Sequence, residues 1–70
     1  MFYKQTESVT NEVADLRKQA GHTQAELAEA IGVTRQTIIA IEKGNYVPSV
    51  LLALKLAKVL HSPVERIFSL

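Results

Sequence analysis

Arg35 and Gln36 stand side by side where a helix is expected to begin, just after Thr34 and ahead of an apolar run. A guanidinium can donate to both O6 and N7 of guanine, and a glutamine amide can match N6 and N7 of adenine. Ile39 and Ala40, one turn on, offer small or apolar surface to a thymine methyl group. Val33, Ile38 and Ile41 recur at helical spacing on the other side, so Arg35, Gln36, Ile39, Ala40 and Lys43 have no place in a core. The plain alternative is a solvated helix face, against which the chemistry of the flanking turn argues.

Two short helices joined by a tight turn must position that pair. Thr23 can accept from early backbone N–H groups while Glu26 reaches back to the Thr23 amide, a capping box that opens the first of them. Leu27, Ala28 and Ile31 then share one face. Gly32 can take the positive φ that ends a helix abruptly, and Thr34 can cap the next helix after one apolar residue, Val33. The two helices are expected to meet at a steep angle.

With these residues in place, the chain resembles the helix-turn-helix of Cro/CI-type regulators of the XRE family. The resemblance runs from about Val13 through Phe68 and rests on Gln24-Ala-Glu-Leu-Ala, Gly32-Val-Thr-Arg-Gln-Thr-Ile, Ile41-Glu-Lys-Gly and Pro48-Ser. It implies an all-α, compact, five-helix, lambda-repressor-like DNA-binding domain with its third helix, about Arg35 to Lys43, in the major groove of double-stranded DNA. It also implies that Gln24, Thr34, Thr37, Lys43, Asn45 and Tyr46 lie near phosphates. Arg17 and Glu42 occupy positions that pair across the first and third helices, with the outer donors of Arg17 left for a phosphate. Two unrelated surface charges are the alternative there. Lys43 can touch a phosphate, favour the helix C-terminus through its dipole, or do both. The sequence departs from the family at His22, usually apolar, and at His61, often the glycine that ends the fourth helix.

Composition bounds these readings. Seventy residues make one small domain spanning residues 1–70, with 47% hydrophobic and 21% charged residues. No separate effector domain and no small-molecule effector are expected. The apolar stretch from Val50 to Leu60 is broken by Lys55 and Lys58, short of the roughly 20 residues of a membrane span. The first residues lack the apolar core of a secretory signal, and cysteine is absent, which fits a cytoplasmic protein. No catalytic motif, phosphate loop, cofactor signature or metal-ligand spacing occurs, so an enzyme is not expected. The net charge of +1 is too small to signal nucleic-acid binding alone. The placement of Arg17, Arg35 and Lys43 has to carry that argument.

Along the chain, residues 1–9 form an arm or short strand with β-prone Phe2 and Tyr3, and residues 10–70 form the helical core. The first helix is expected from about Thr10 or Asn11 to Ala20, with Val13, Leu16 and Ala20 inward and Gly21 as its stop. The fourth helix runs from a Ser49 cap to Leu60, and a fifth starts with a Ser62 cap, Pro63 in its first turn and Glu65 closing a box. Val50, Leu52, Ala53, Leu56, Ala57 and Leu60 satisfy the core. That leaves Leu51, Leu54 and Val59, joined by Phe68 and Leu70, as an apolar surface for a partner, which the resemblance makes a second copy of the chain. The residues thus point to a sequence-specific DNA-binding transcriptional regulator, a homodimeric repressor on a near-palindromic operator. The alternatives are the antitoxin of a toxin–antitoxin pair and a helical protein-interaction module without a DNA function.

Overall fold

The computed structural model describes residues 8–70, so the reading of Phe2 and Tyr3 as an arm or strand lies outside the described residues. The elements follow as β1 (Thr10–Asn11), α1 (Val13–Gln19), α2 (Gln24–Ile31), α3 (Arg35–Glu42), α4 (Val50–Leu60), α5 (Val64–Ile67) and β2 (Phe68–Ser69). Hydroxyl side chains start the three central helices. Thr23 accepts from Glu26 N–H at 3.0 Å, Thr34 from Thr37 N–H at 3.3 Å and Ser49 from Leu52 N–H at 3.2 Å. The capping box of α2 is complete, because Glu26 Oε1 accepts the Thr23 N–H at 2.8 Å. That backbone bond, with the Thr23 hydroxyl behind it, holds the Glu26 carboxyl below its ordinary range.

The turn between α2 and α3 starts at Gly32. Its φ of 77° is left-handed, and its N–H and that of Val33 return to the carbonyls of Glu29 and Ala28. This is the paired closure of a Schellman motif. A methyl group at Gly32 would meet nothing within 4 Å, so backbone conformation, and not crowding, demands glycine here.

α2 and α3 pack on α1, α4 and α5 around a single apolar cluster. Val13, Leu27, Ile38, Ile41 and Leu56 have no exposed surface, and Leu16, Ala28, Ile31, Leu60 and Ile67 complete the cluster. Each large side chain so buried contributes about 1.5–3 kcal/mol of transfer free energy. Val33, Leu52 and Ala57 pack half-buried against it.

Several expectations are corrected. Thr10 and Asn11 do not open α1. They pair antiparallel with Ser69 and Phe68, so the all-α plan carries a small two-stranded ribbon that joins the two ends of the described chain. The Thr10 and Ser69 hydroxyls lie 2.9 Å apart, and Glu12 N–H donates to the Ile67 carbonyl at 2.9 Å. Ala20 is exposed at the end of α1, on the rim of an open cleft shared with Leu60 and Pro63. Val50 is 76% exposed, because the first turn of α4 projects past the core. Ser62 does not cap α5: Pro63 holds that place without a side-chain bond, no box forms with Glu65, and the Ser62 hydroxyl turns back to the Leu60 carbonyl. Val59 and Phe68, assigned to a partner surface, pack half-buried against their own core.

Candidate nucleic-acid interface

α3 is pinned from behind by Ile38 and Ile41, both fully buried. With that face locked, the helical period turns Arg35 and Gln36 outward, and both are exposed in the first turn. Ile39 and Ala40 are half-buried below them, and Lys43 is exposed just past the helix end. Gln36, Thr37 and Ala40 form one wall of an open groove of about 490 Å³, with Tyr46 and Leu52 among the residues lining it. Polar reach and apolar contact therefore occur side by side on one surface.

The far end of α3 is closed as tightly as its start. Gly44, at φ 79°, donates to the Ile41 carbonyl at 2.9 Å, and Asn45 N–H donates to Ala40 at 2.9 Å. This second Schellman closure reverses the chain and leaves Lys43, Asn45 and Tyr46 exposed in sequence along one loop.

One carboxylate then locks three helices together. Arg17 Nε donates to Glu42 Oε2 at 2.7 Å and its Nη2 to Oε1 at 3.3 Å, while Gln24 Nε2 donates to the same Oε1 at 3.0 Å. Arg17 Nη1 donates to the His22 carbonyl at 3.0 Å, so α1, α2, α3 and the turn between α1 and α2 converge on this cluster. Burial alone raises the Glu42 pKa, but the bonds from Arg17 and Gln24 and the charges of Arg17 and Lys18 outweigh it and hold the carboxyl below its ordinary value. The pairing of Arg17 with Glu42 is present as the sequence suggested. Arg17, however, is only 9% exposed and its donors turn inward, so here it organises the helices. Gln24 is half-buried beside it with one amide donor committed to Glu42.

Two contributors escaped the sequence reading. Lys55, taken as a break in an apolar run, places Nζ 3.5 Å from the Ile31 carbonyl, where a cation suits the C-terminus of α2. Asn11 donates from Nδ2 to the Ile41 carbonyl at 2.8 Å and accepts the Val13 N–H on Oδ1 at 3.1 Å. An asparagine that accepts the N–H two residues on is an Asx-turn signal just ahead of α1, which assignment of Thr10 and Asn11 to the helix concealed.

Of the residues expected at a partner surface, Leu51 and Leu54 are 62% and 57% exposed, and Leu70 is exposed too. Val47 and Val50 were not assigned there, but both are exposed: Val50 lies one turn before Leu54 on α4, and Val47, in the segment leading into the helix, lines one groove with Val50. Beside them runs an apolar groove of about 190 Å³ lined in part by Val9, Pro48, Val64 and Phe68.

A family model described as helix-turn-helix matches residues 13–67. The chain is similar to the uncharacterized HTH-type transcriptional regulator YgzD of Bacillus subtilis, with 53% identity over 58 residues that cover 83% of this chain and 88% of that one. It is similar also to an uncharacterized HTH-type transcriptional regulator of Methanothermobacter thermautotrophicus, with 54% identity over 59 residues, 83% of this chain and 86% of that one. Among solved structures, the crystal structure of the restriction-modification controller protein C.AhdI from Aeromonas hydrophila matches with a TM-score of 0.71 and 30% identity, over 77% of this chain and 82% of that chain.

Proposed function

The chain belongs to the XRE-type helix-turn-helix family, and from that premise we propose that it is a sequence-specific repressor that occupies a near-palindromic, promoter-overlapping operator as a homodimer. The observation that carries the reading is the exposed Arg35–Gln36 pair at the start of a helix whose opposite face is fully buried. Side chains so placed can enter a major groove without any rearrangement of the core.

In this reading Arg35 donates to O6 and N7 of a guanine, Gln36 donates to N7 and accepts from N6 of an adenine, and Ile39 and Ala40 meet thymine methyl groups. Gln24, Thr34, Thr37, Lys43, Asn45 and Tyr46 face phosphates and fix the register. Arg17 acts mainly through Glu42, since so little of it reaches the surface. With a net charge of +1, few phosphates are neutralised, so affinity depends more on base contacts than in a strongly basic domain. One recognition helix reads too few base pairs to single out a site. Two copies related by a two-fold axis would set their recognition helices about 34–36 Å apart, on successive major grooves.

Selection of binding sites from random DNA tests the proposal directly. The expected result is a sequence with two inverted half-sites about 10–10.5 bp apart, centre to centre. Enrichment of no sequence above the starting pool overturns the reading, and enrichment of a single half-site overturns its dimeric part.

A further inference from the structure

We propose that Asn11 is a positioning residue for the loop of residues 43–46, acting through the Ile41 carbonyl. This rests on the DNA-binding reading above, which places Lys43, Asn45 and Tyr46 against phosphates.

The Asn11 side chain faces two opposite demands. The Val13 N–H requires an acceptor and the Ile41 carbonyl requires a donor, and the side-chain amide supplies both from adjacent atoms, at 3.1 and 2.8 Å. A flipped amide would set oxygen against oxygen and N–H against N–H, so its orientation is fixed by its neighbours. The backbone is held equally firmly, since Asn11 pairs with Phe68 in the ribbon and the next residue donates to Ile67. The ribbon thus fixes the Cα from which the amide reaches, and the two side-chain bonds fix the amide itself.

What it holds is the hinge of the loop. The Ile41 carbonyl also accepts the Gly44 N–H at 2.9 Å, so both of its lone pairs are engaged. Residues 8–11 and 42–44 otherwise face each other across an open cleft of about 370 Å³. Among the described residues, the Asn11 bond is the one hydrogen bond that spans that cleft to the end of α3. Without it, the turn that aims Lys43, Asn45 and Tyr46 keeps only its internal bonds. Those exposed residues would then sample more orientations before meeting a phosphate.

Asn11→Ser separates the two functions of the side chain. A serine hydroxyl can still accept from Val13 N–H in the turn that leads into α1, adds no charge, and is too short to reach Ile41. Circular dichroism should show a folded protein. In the free protein, amide exchange at Gly44 and Asn45 should quicken roughly three- to tenfold, the worth of one ordinary hydrogen bond, while that at Leu16 and Arg17 stays unchanged. Affinity for the selected operator and for a random-sequence duplex should fall alike by a similar factor, at a temperature where the variant is fully folded. The salt slope should flatten by up to about one, the loss expected of Lys43→Ala. Adding Lys43→Ala to Asn11→Ser should then cost less than it does in the unmodified chain.

Unchanged exchange at Gly44 and Asn45 overturns the tie. Faster exchange with unchanged affinity and slope overturns the positioning role. Failure of the unmodified chain to bind either duplex sinks the DNA-binding reading itself, and this proposal with it. Should Asn11→Ser fail to fold, Lys43→Ala and Asn45→Ala in the unmodified chain decide: if neither weakens binding to random DNA, there is no clamp for Asn11 to position.

Discussion

Side chains at the interface fall into those that hold and those that reach, and their exposure separates them. Glu42 holds: it accepts from Arg17 and Gln24 and is nearly buried. Because its folded pKa lies below the ordinary 4.5, its contribution to stability is fully present above that value and is lost as pH falls through the folded pKa. Urea midpoints measured from about pH 6 down to about pH 3 should therefore fall less steeply for Glu42→Gln than for the unmodified chain. Parallel curves would show that the carboxylate is not held this way. Arg35 and Gln36 reach. Arg35→Ala or Gln36→Ala should cost about 1–3 kcal/mol on the selected operator and relax preference at one base pair each. An equal loss on random DNA would move them among the phosphate contacts. The outward placement of this pair was legible because Ile38 and Ile41 fix the helical phase from the sequence alone. The role of Asn11 was not, since its partner lies 30 residues away and no local pattern marks it.

The helices were legible for the same local reason. Thr23, Thr34 and Ser49 carry their caps in their own chemistry, and Gly32 carries its turn. The ribbon was hidden because Thr10–Asn11 and Phe68–Ser69 are too short to show a period and find each other only once the helices have folded. At the end of α4, where the resemblance led us to expect a glycine, His61 adopts a left-handed φ of 54°. A residue with a Cβ carries a cost of roughly 1–2 kcal/mol there. Because His61 is exposed and stands outside the core cluster, little else is lost with its side chain. His61→Gly should therefore stabilise the fold by about 1 kcal/mol net of the greater freedom of unfolded glycine. For a domain of this size, that corresponds to a Tm higher by about 4–8 °C. A lower Tm in calorimetry would show that the imidazole contributes more than its backbone costs.

As a whole, a 70-residue chain with one apolar cluster is close to the size at which a single core is marginal, and it still leaves Val47, Val50, Leu51 and Leu54 in water. Association of two copies would cover that stripe, add stability by mass action and double the number of base pairs read. A two-fold axis brings each stripe against its own duplicate, so one substitution changes both halves of the contact. Position decides which substitutions are informative. Val59 and Phe68 pack on their own core, and a charge at either should unfold the protomer. Leu54 is 57% exposed, so Leu54→Glu should leave the fold intact. It should sediment as a monomer under conditions where the unmodified chain is expected to sediment as a dimer, and lose operator affinity far more than affinity for random DNA. Random DNA needs only the phosphate contacts of one copy, whereas the operator needs two recognition helices held at a fixed spacing. Sedimentation of the unmodified chain as a monomer at tens of micromolar, together with tight binding to an isolated half-site, would sink the dimer and leave a single protomer as the reading unit.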